Sequence, residues 1–132
     1  ALFHHKELQD VIQPTNTDCL SMITAGPTPP NPSELLSSKR MAALLETMKG
    51  IYDVILIDTP PLLFVTDAQI VSTQSDGVVL VVDSGKVKKD VALKAKALLD
   101  HVKARLIGVV LNNLPRKPSE SYYYYYGESN DA

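Results

Sequence analysis

The sequence predicts an α/β fold in which a parallel sheet is flanked by helices. Three apolar runs without polar alternation, Val54–Ile57, Val78–Val82 and Leu106–Leu111, are typical of strands that are buried on both faces. Between the last two runs, the apolar residues of the stretch 91–102 recur at helical spacing. This alternation predicts βαβ units with right-handed crossovers.

The first part of the chain predicts a short strand at Leu20–Ala25 and then a helix. Asn31 is a good N-cap, Pro32 suits the first turn, and Glu34 follows the cap by three residues. Gly50 is well placed to end this helix. One apolar face at i, i+3, i+4, i+7 spacing comprises Met41, Leu44, Leu45 and Met48.

Length and composition indicate one globular domain, residues 1–114, followed by a disordered tyrosine-rich tail, residues 115–132. With 13 Lys plus Arg against 15 Asp plus Glu, the charge gives no support for binding nucleic acid or an anionic membrane directly. The apolar runs are far shorter than the roughly 20 residues that span a bilayer, and no signal peptide is evident. We therefore expect a cytoplasmic protein. The single cysteine, Cys19, lies in an apolar stretch, and we expect it to be buried as a small hydrophobic residue.

Three polar residues follow the predicted strands at the edge where open parallel sheets bind ligands: Asp58, Asp83 and Asn112. Such residues also cap turns, and we interpret Asp83 in that way. Asp58 differs because the segment Thr59-Pro60-Pro61 forces a turn directly after it. A carboxylate in this position has the form of a Walker B element, which holds Mg²⁺ beside nucleotide phosphates.

The tail contains five consecutive tyrosines, Tyr122, Tyr123, Tyr124, Tyr125 and Tyr126, between polar flanks. Successive side chains of an extended segment point to opposite sides, so these phenols cannot all face one core. Phosphorylation of all five would add roughly −7 to −10 charges, against a net charge of −2 for the whole chain. The alternative is an aromatic tail or a strand that pairs with a partner's edge.

Read with the tyrosine run, the segment Tyr52–Pro61 resembles the P-loop bacterial tyrosine kinases that control capsular and exopolysaccharide synthesis. Three further stretches resemble the same family: its helix-start motif, its last core strand and its autophosphorylated tyrosine cluster. They are Pro29–Ser38, Ile107–Asn112 and Tyr122–Tyr126. The resemblance therefore runs over nearly the whole chain.

The resemblance implies a P-loop NTPase-like fold, ATP and Mg²⁺ as cofactors, and roles for individual residues. Asp58 matches the catalytic and metal-binding Walker B acid, Tyr122–Tyr126 match the phosphate acceptors, and Asn112 lies where related ATPases place a residue near the adenine. It also implies phosphorylation in trans within a ring of identical subunits. Further implied partners are a membrane polysaccharide co-polymerase, which activates the kinase at the inner face of the membrane, and a cognate tyrosine phosphatase.

The sequence departs from the family because it has no G-x-x-x-x-G-K-S/T run to cradle phosphates. The family's D-x-D metal and base motif is absent too, and we interpret Gly85-Lys86 as an ordinary strand-to-helix turn. The resemblance begins near Leu8–Pro14, so the chain is similar to the C-terminal part of the kinase domain. ATP and Mg²⁺ would both need the missing P-loop segment. Without the P-loop strand we expect exposed apolar edges and faces, and a chain that is marginally stable or oligomeric.

Two other functions remain open. The chain is compatible with a non-catalytic phosphoacceptor or regulatory module, which would retain the acceptor tyrosines and the interaction surfaces. It is also compatible with a relative of the partitioning ATPases, which share the Walker B element and the strand Gly108-Val109-Val110-Leu111-Asn112. The tyrosine cluster argues against the second of these alternatives.

Overall fold

The computed structural model describes residues 7–114, so the predicted tail and its tyrosine cluster lie outside the described residues. Five helices and four strands occur within this range. In chain order they are α1 (Leu8–Val11), β1 (Gln13–Pro14), β2 (Ser21–Met22), α2 (Pro32–Leu36), α3 (Lys39–Lys49), α4 (Asp67–Ser72), β3 (Val78–Asp83), α5 (Lys89–His101) and β4 (Leu106–Asn112).

The predicted strand at Leu20–Ala25 is shorter than expected and belongs to a small hairpin. Strands β1 and β2 pair antiparallel, and Thr15 closes the connection by donating its hydroxyl to the carbonyl of Leu20 at 2.9 Å. Cys19 lies in this connection with a φ of 61° and is exposed, so the prediction of a buried cysteine was wrong. A tight turn holds it at the surface, where its apolar neighbours in the sequence do not bury it.

The predicted helix from Asn31 to Gly50 is two helices, α2 and α3. Two serines separate them: Ser37 donates to the carbonyl of Ser33 at 2.8 Å, and Ser38 donates to that of Leu35 at 2.6 Å. Such local hydroxyl bonds compete with the helical ladder. Ser38 also accepts from the backbone N–H of Met41 at 3.2 Å and thereby caps α3.

The apolar face of α3 forms the first part of the core. Met41, Leu45 and Met48 are buried, as the helical spacing predicts, and Gly50 ends the helix. Partly buried apolar residues pack against this cluster; they are Leu8, Leu36, Leu44, Tyr52 and Ile55.

Strands β3 and β4 pair in parallel, and α5 connects them. This is the βαβ unit that the sequence predicts. On α5, Ala95 and Leu99 are buried, and the helix contacts both α4 and β4. Val82 of β3 is buried, whereas Val79 and Val81 are 50% and 60% exposed and share a face with Val110.

The predicted strand at Val54–Ile57 is not part of a sheet in this structure. Within residues 7–114, no backbone hydrogen bond joins residues 53–60 to another segment. A strand exists only when a neighbour pairs with its backbone groups, and β3 is paired to β4 alone. Consequently Val54 is 73% exposed and Leu56 is 90% exposed. The side chains of Val54 and Leu56, together with the face of β3 that carries Val79 and Val81, form apolar surface that is exposed to solvent, as the sequence predicts.

None of the helices between residues 7 and 114 is both long enough and apolar enough to cross a bilayer.

Candidate nucleotide and metal site

The carboxyl ends of β3 and β4 meet at one edge, as the parallel register requires. Asp83 is in register with Asn112, and the N–H of Ser84 donates to the carbonyl of Asn112 at 2.8 Å. The structure therefore brings together two of the three polar residues that the sequence places at this edge.

The carboxylate of Asp83 is engaged by its neighbours. Asn113 donates its side-chain amide to one oxygen at 3.0 Å, and Lys86 lies 3.1 Å from the other. The hydrogen bond from Asn113, followed by that from Lys86, holds the pKa of Asp83 below its ordinary value of 3.8. This pairing supports the interpretation of Asp83 as a residue that closes the turn.

The Gly85-Lys86 pair forms the strand-to-helix turn predicted for it. The backbone N–H groups of Lys86 and Val87 both donate to the carbonyl of Asp83, at 3.3 and 3.0 Å. Gly85 has a φ of 82°, in the left-handed region that glycine adopts without a Cβ penalty. The turn delivers the chain into α5.

Asn112 is exposed at the end of β4, and its side-chain oxygen accepts from the N–H of Asn113 at 2.9 Å. Its side-chain amide group makes no hydrogen bond to a described residue. A contact between Asn112 and adenine remains a prediction.

Asp58 is exposed, and its carboxylate makes no hydrogen bond or ion pair to any residue in the range 7–114. The structure does not bring it into hydrogen-bond contact with Asp83 or Asn112. A free carboxylate fits Mg²⁺, which takes one or two carboxylates together with substrate phosphates and water. In the described part of the chain, no group of three or more His, Cys, Asp or Glu residues surrounds a common point. The role of Asp58 in binding Mg²⁺ therefore remains a prediction.

The segment that follows Asp58 is anchored to α2 at the start of α4. Ser33 shares a hydrogen bond of 2.9 Å with the hydroxyl of Thr66 and donates to Asp67 at 3.2 Å. Gln74 adds a bond of 3.0 Å to the carbonyl of Leu36. The helix-start motif is therefore tied to the region after the candidate Walker B acid. This role of Ser33 was not predictable from the sequence, because no local pattern points to a partner 33 residues away.

A groove of about 640 Å³ lies between the β1–β2 hairpin and the segment after α3. Its walls include Thr15, Asp18, Cys19, Tyr52 and Asp53. None of the predicted site residues lines it.

Known proteins resemble this chain along most of its length. No protein-family model matches it. CapB of Staphylococcus aureus is 46% identical over 119 residues, which cover 90% of this chain and 52% of CapB. The tyrosine-protein kinase YwqD of Bacillus subtilis is 42% identical over 124 residues, covering 94% of this chain and 52% of YwqD.

The solved kinase domain of the Escherichia coli tyrosine kinase ETK has the same fold. Its TM-score to this chain is 0.80 at 36% identity, and the match covers 92% of this chain and 48% of the ETK domain. The chain thus spans about half the length of the curated relatives CapB and YwqD.

Proposed function

Because this chain belongs to the family of bacterial tyrosine-protein kinases and spans about half of its relatives' length, we propose that it forms part of an ATP-dependent protein-tyrosine autokinase. The pathway served is capsular or exopolysaccharide synthesis. The observation that carries this proposal is the fold shared with the ETK kinase domain over 92% of the chain.

Asp58 is the proposed Walker B residue of this kinase. Two observations support that role: Asp58 is exposed, and its carboxylate has no partner among the described residues. By contrast, the carboxylate of Asp83 would have to break its hydrogen bond with Asn113 before it could bind a metal ion. Bound Mg²⁺ would supply positive charge beside the ATP phosphates. Asp58 would hold the ion, while Asn112 would contact the adenine. The phosphate-binding loop has no counterpart in the sequence, so both cofactors require a segment beyond these residues.

The proposed phosphate acceptors are Tyr122–Tyr126. Each phenol would take the γ-phosphoryl group of ATP, lose its proton and leave ADP. Transfer in trans, within a ring of identical subunits, would place the tail of one subunit at the nucleotide site of the next. Repulsion among several dianionic phosphates would then favour dissociation of the ring.

The proposed partners follow from the same family membership. A membrane polysaccharide co-polymerase would activate the kinase and keep it at the cytoplasmic face of the membrane. A cognate tyrosine phosphatase would reverse the modification.

The decisive experiment is an intact-mass measurement of the chain after incubation with Mg²⁺ and ATP. The chain is tested alone and in a mixture with complete YwqD, and a variant with Phe at all five positions from Tyr122 to Tyr126 is the control. We expect mass gains in steps of one phosphate in the mixture and none in the control variant.

The other outcomes discriminate clearly between interpretations. Mass gain by the chain alone would show that it binds nucleotide without a P-loop, which contradicts the need for a further segment. No gain under either condition would refute the assignment of the tail as the acceptor.

A further inference from the structure

The segment 59–65, which joins the candidate Walker B residue Asp58 to α4, is not held in place by burial. All of its residues except Leu62 are exposed. Within residues 7–114, the only hydrogen bond of this segment runs from the N–H of Phe64 to the carbonyl of Pro61, at 3.1 Å, and stays inside the segment. The path of the segment therefore depends on what holds its two ends.

The end before Asp58 is held on α3. The N–H of Tyr52 donates to the carbonyl of Met48 at 2.9 Å, and Ile55 packs against the buried cluster to which Met48 belongs. Ile55 precedes Asp58 by three positions. This packing limits how far the start of the segment can move.

The other end is held on α2 by hydrogen bonds that pass through Ser33. Ser33 donates its hydroxyl to the carboxylate of Asp67 at 3.2 Å and shares a bond of 2.9 Å with the hydroxyl of Thr66. A serine hydroxyl has one proton, which Ser33 gives to Asp67, so Thr66 is the donor in the shared bond. We call the side chains of Ser33, Thr66 and Asp67 the serine clasp.

The serine clasp replaces a local cap on α4. Thr66 is the N-cap residue of this helix, yet its side chain makes no capping bond. An N-cap threonine ordinarily accepts a hydrogen bond from a backbone N–H in the first turn and so stabilises its own helix. Here the hydroxyl bonds to a residue of α2 instead. The bond therefore fixes the end of segment 59–65 relative to α2.

We propose that Ser33 is a positioning residue for Asp58. Through the serine clasp it fixes the segment after Asp58, so that the carboxylate stays in the place where it binds Mg²⁺. This proposal rests on the proposed function, in which Asp58 is the metal ligand; Ser33 acts only through the position of Asp58. Pro60 and Pro61 carry the effect along the segment, because each proline ring fixes φ and leaves the backbone fewer ways to absorb a displacement.

The first measurement needs neither metal nor nucleotide. Amide hydrogen exchange in the full chain is compared between the parent and Ser33→Ala, with Ser37→Ala as the matched control. The hydroxyl of Ser37 donates to the carbonyl of Ser33 at 2.8 Å and does not reach α4. The amides of Phe64 and Ile70, which donate to Pro61 and Thr66, report on the segment and on the start of α4. Both should exchange about fivefold faster in Ser33→Ala, the factor that the loss of one hydrogen bond typically gives, and at the parent rate in Ser37→Ala.

The second measurement separates positioning from general stabilisation. In a domain completed with the P-loop segment, the dissociation constant of ATP is measured by calorimetry with saturating Mg²⁺ and again in EDTA. Ser33→Ala should weaken binding about fivefold with Mg²⁺ and leave binding in EDTA unchanged. Ser33→Thr retains the hydroxyl and should restore the affinity measured with Mg²⁺, while Ser37→Ala should match the parent. If Ser33→Ala does not fold, Thr66→Val takes its place, because it keeps the size of the side chain and removes one bond of the clasp.

The outcomes distinguish this inference from the proposed function. If Asp58→Asn abolishes the effect of Mg²⁺ but Ser33→Ala binds as the parent does, the positioning role is overturned and the proposed function stands. Equal weakening of binding with Mg²⁺ and in EDTA would also overturn the positioning role, because it would indicate a general loss of structure. The same holds for an unchanged exchange rate at Phe64. If Asp58→Asn binds ATP and Mg²⁺ like the parent, the Walker B assignment fails, and this inference fails with it.

Discussion

Truncation of Leu99 to alanine should remove much of the stability of the chain. Leu99 is 1% exposed, and it is the one residue of the described chain with both a large side chain and an exposure below 2%. Its helix, α5, contacts α4 and β4, so a cavity there would loosen the βαβ unit. Leu→Ala changes at such positions cost about 3 kcal/mol.

The assay is urea denaturation followed by circular dichroism, at a concentration where the chain is monomeric. With a slope of about 2 kcal/mol per molar urea, the loss moves the midpoint down by roughly 1.5 M. The matched control is Leu93→Ala on the same helix, because Leu93 is 55% exposed. Its effect should stay within about 0.5 kcal/mol. If the two variants lose equal stability, the described packing of α5 is refuted.

Three further predictions concern the candidate site and the tail. In a domain completed with the P-loop segment, Asp58→Asn should abolish binding of Mg²⁺ and nucleotide. The variant should lose little stability, because the side chain of Asp58 is exposed. Unchanged phosphorylation would exclude the Walker B assignment. In the same domain, changing Tyr122–Tyr126 to Phe should eliminate autophosphorylation while ATP binding, measured by calorimetry, persists. The hydrogen bonds from Asn113 and Lys86 lower the pKa of Asp83 in the folded chain below its ordinary value of 3.8. These contacts therefore stabilise the folded chain above pH 3.8, and the stabilisation is lost as the pH falls through the pKa that Asp83 has in the folded chain. Asp83→Asn should therefore weaken the acid dependence of the urea midpoint, and an unaltered pH profile would contradict this.

Elements with a strong local signal were predictable from the sequence. The spacing of Met41, Leu45 and Met48 gave the buried face of α3, and Gly50 gave its end. The runs at β3 and β4 gave a parallel pair because their apolar residues are continuous and a helical pattern lies between them. In each case the deciding information lies within a few residues.

Features that depend on distant or competing contacts were not predictable. Ser37 and Ser38 divide the expected helix through their own hydroxyl bonds, although the apolar spacing continues across them. The run at 54–57 has strand composition, but pairing needs a neighbour that its own sequence does not specify. Similarly, the bond from Ser33 to Asp67 joins residues whose proximity only the fold creates.

For the candidate site, the sequence correctly placed Asp83 and Asn112 at one edge, because strand ends follow from strand assignments. It did not reveal that Asn113 and Lys86 engage Asp83, since both contacts depend on the left-handed turn conformations of Gly85 and Asn113. The roles of Asp58 and Asn112 in binding ligands are still predictions.

The exposed run at 54–57 predicts a consequence for the solubility of this chain. Its four apolar residues, three of them β-branched and none charged or proline, have the composition found in the segments that pair in cross-β aggregates. Asp53 and Asp58 flank the run, and Pro60-Pro61 follow shortly after, so charges and prolines act as gatekeepers against intermolecular strand stacking. We therefore predict that Asp58 limits aggregation of the newly made chain, in addition to its proposed role in binding metal. The Asp58→Asn variant should accordingly form more insoluble material during expression than its parent.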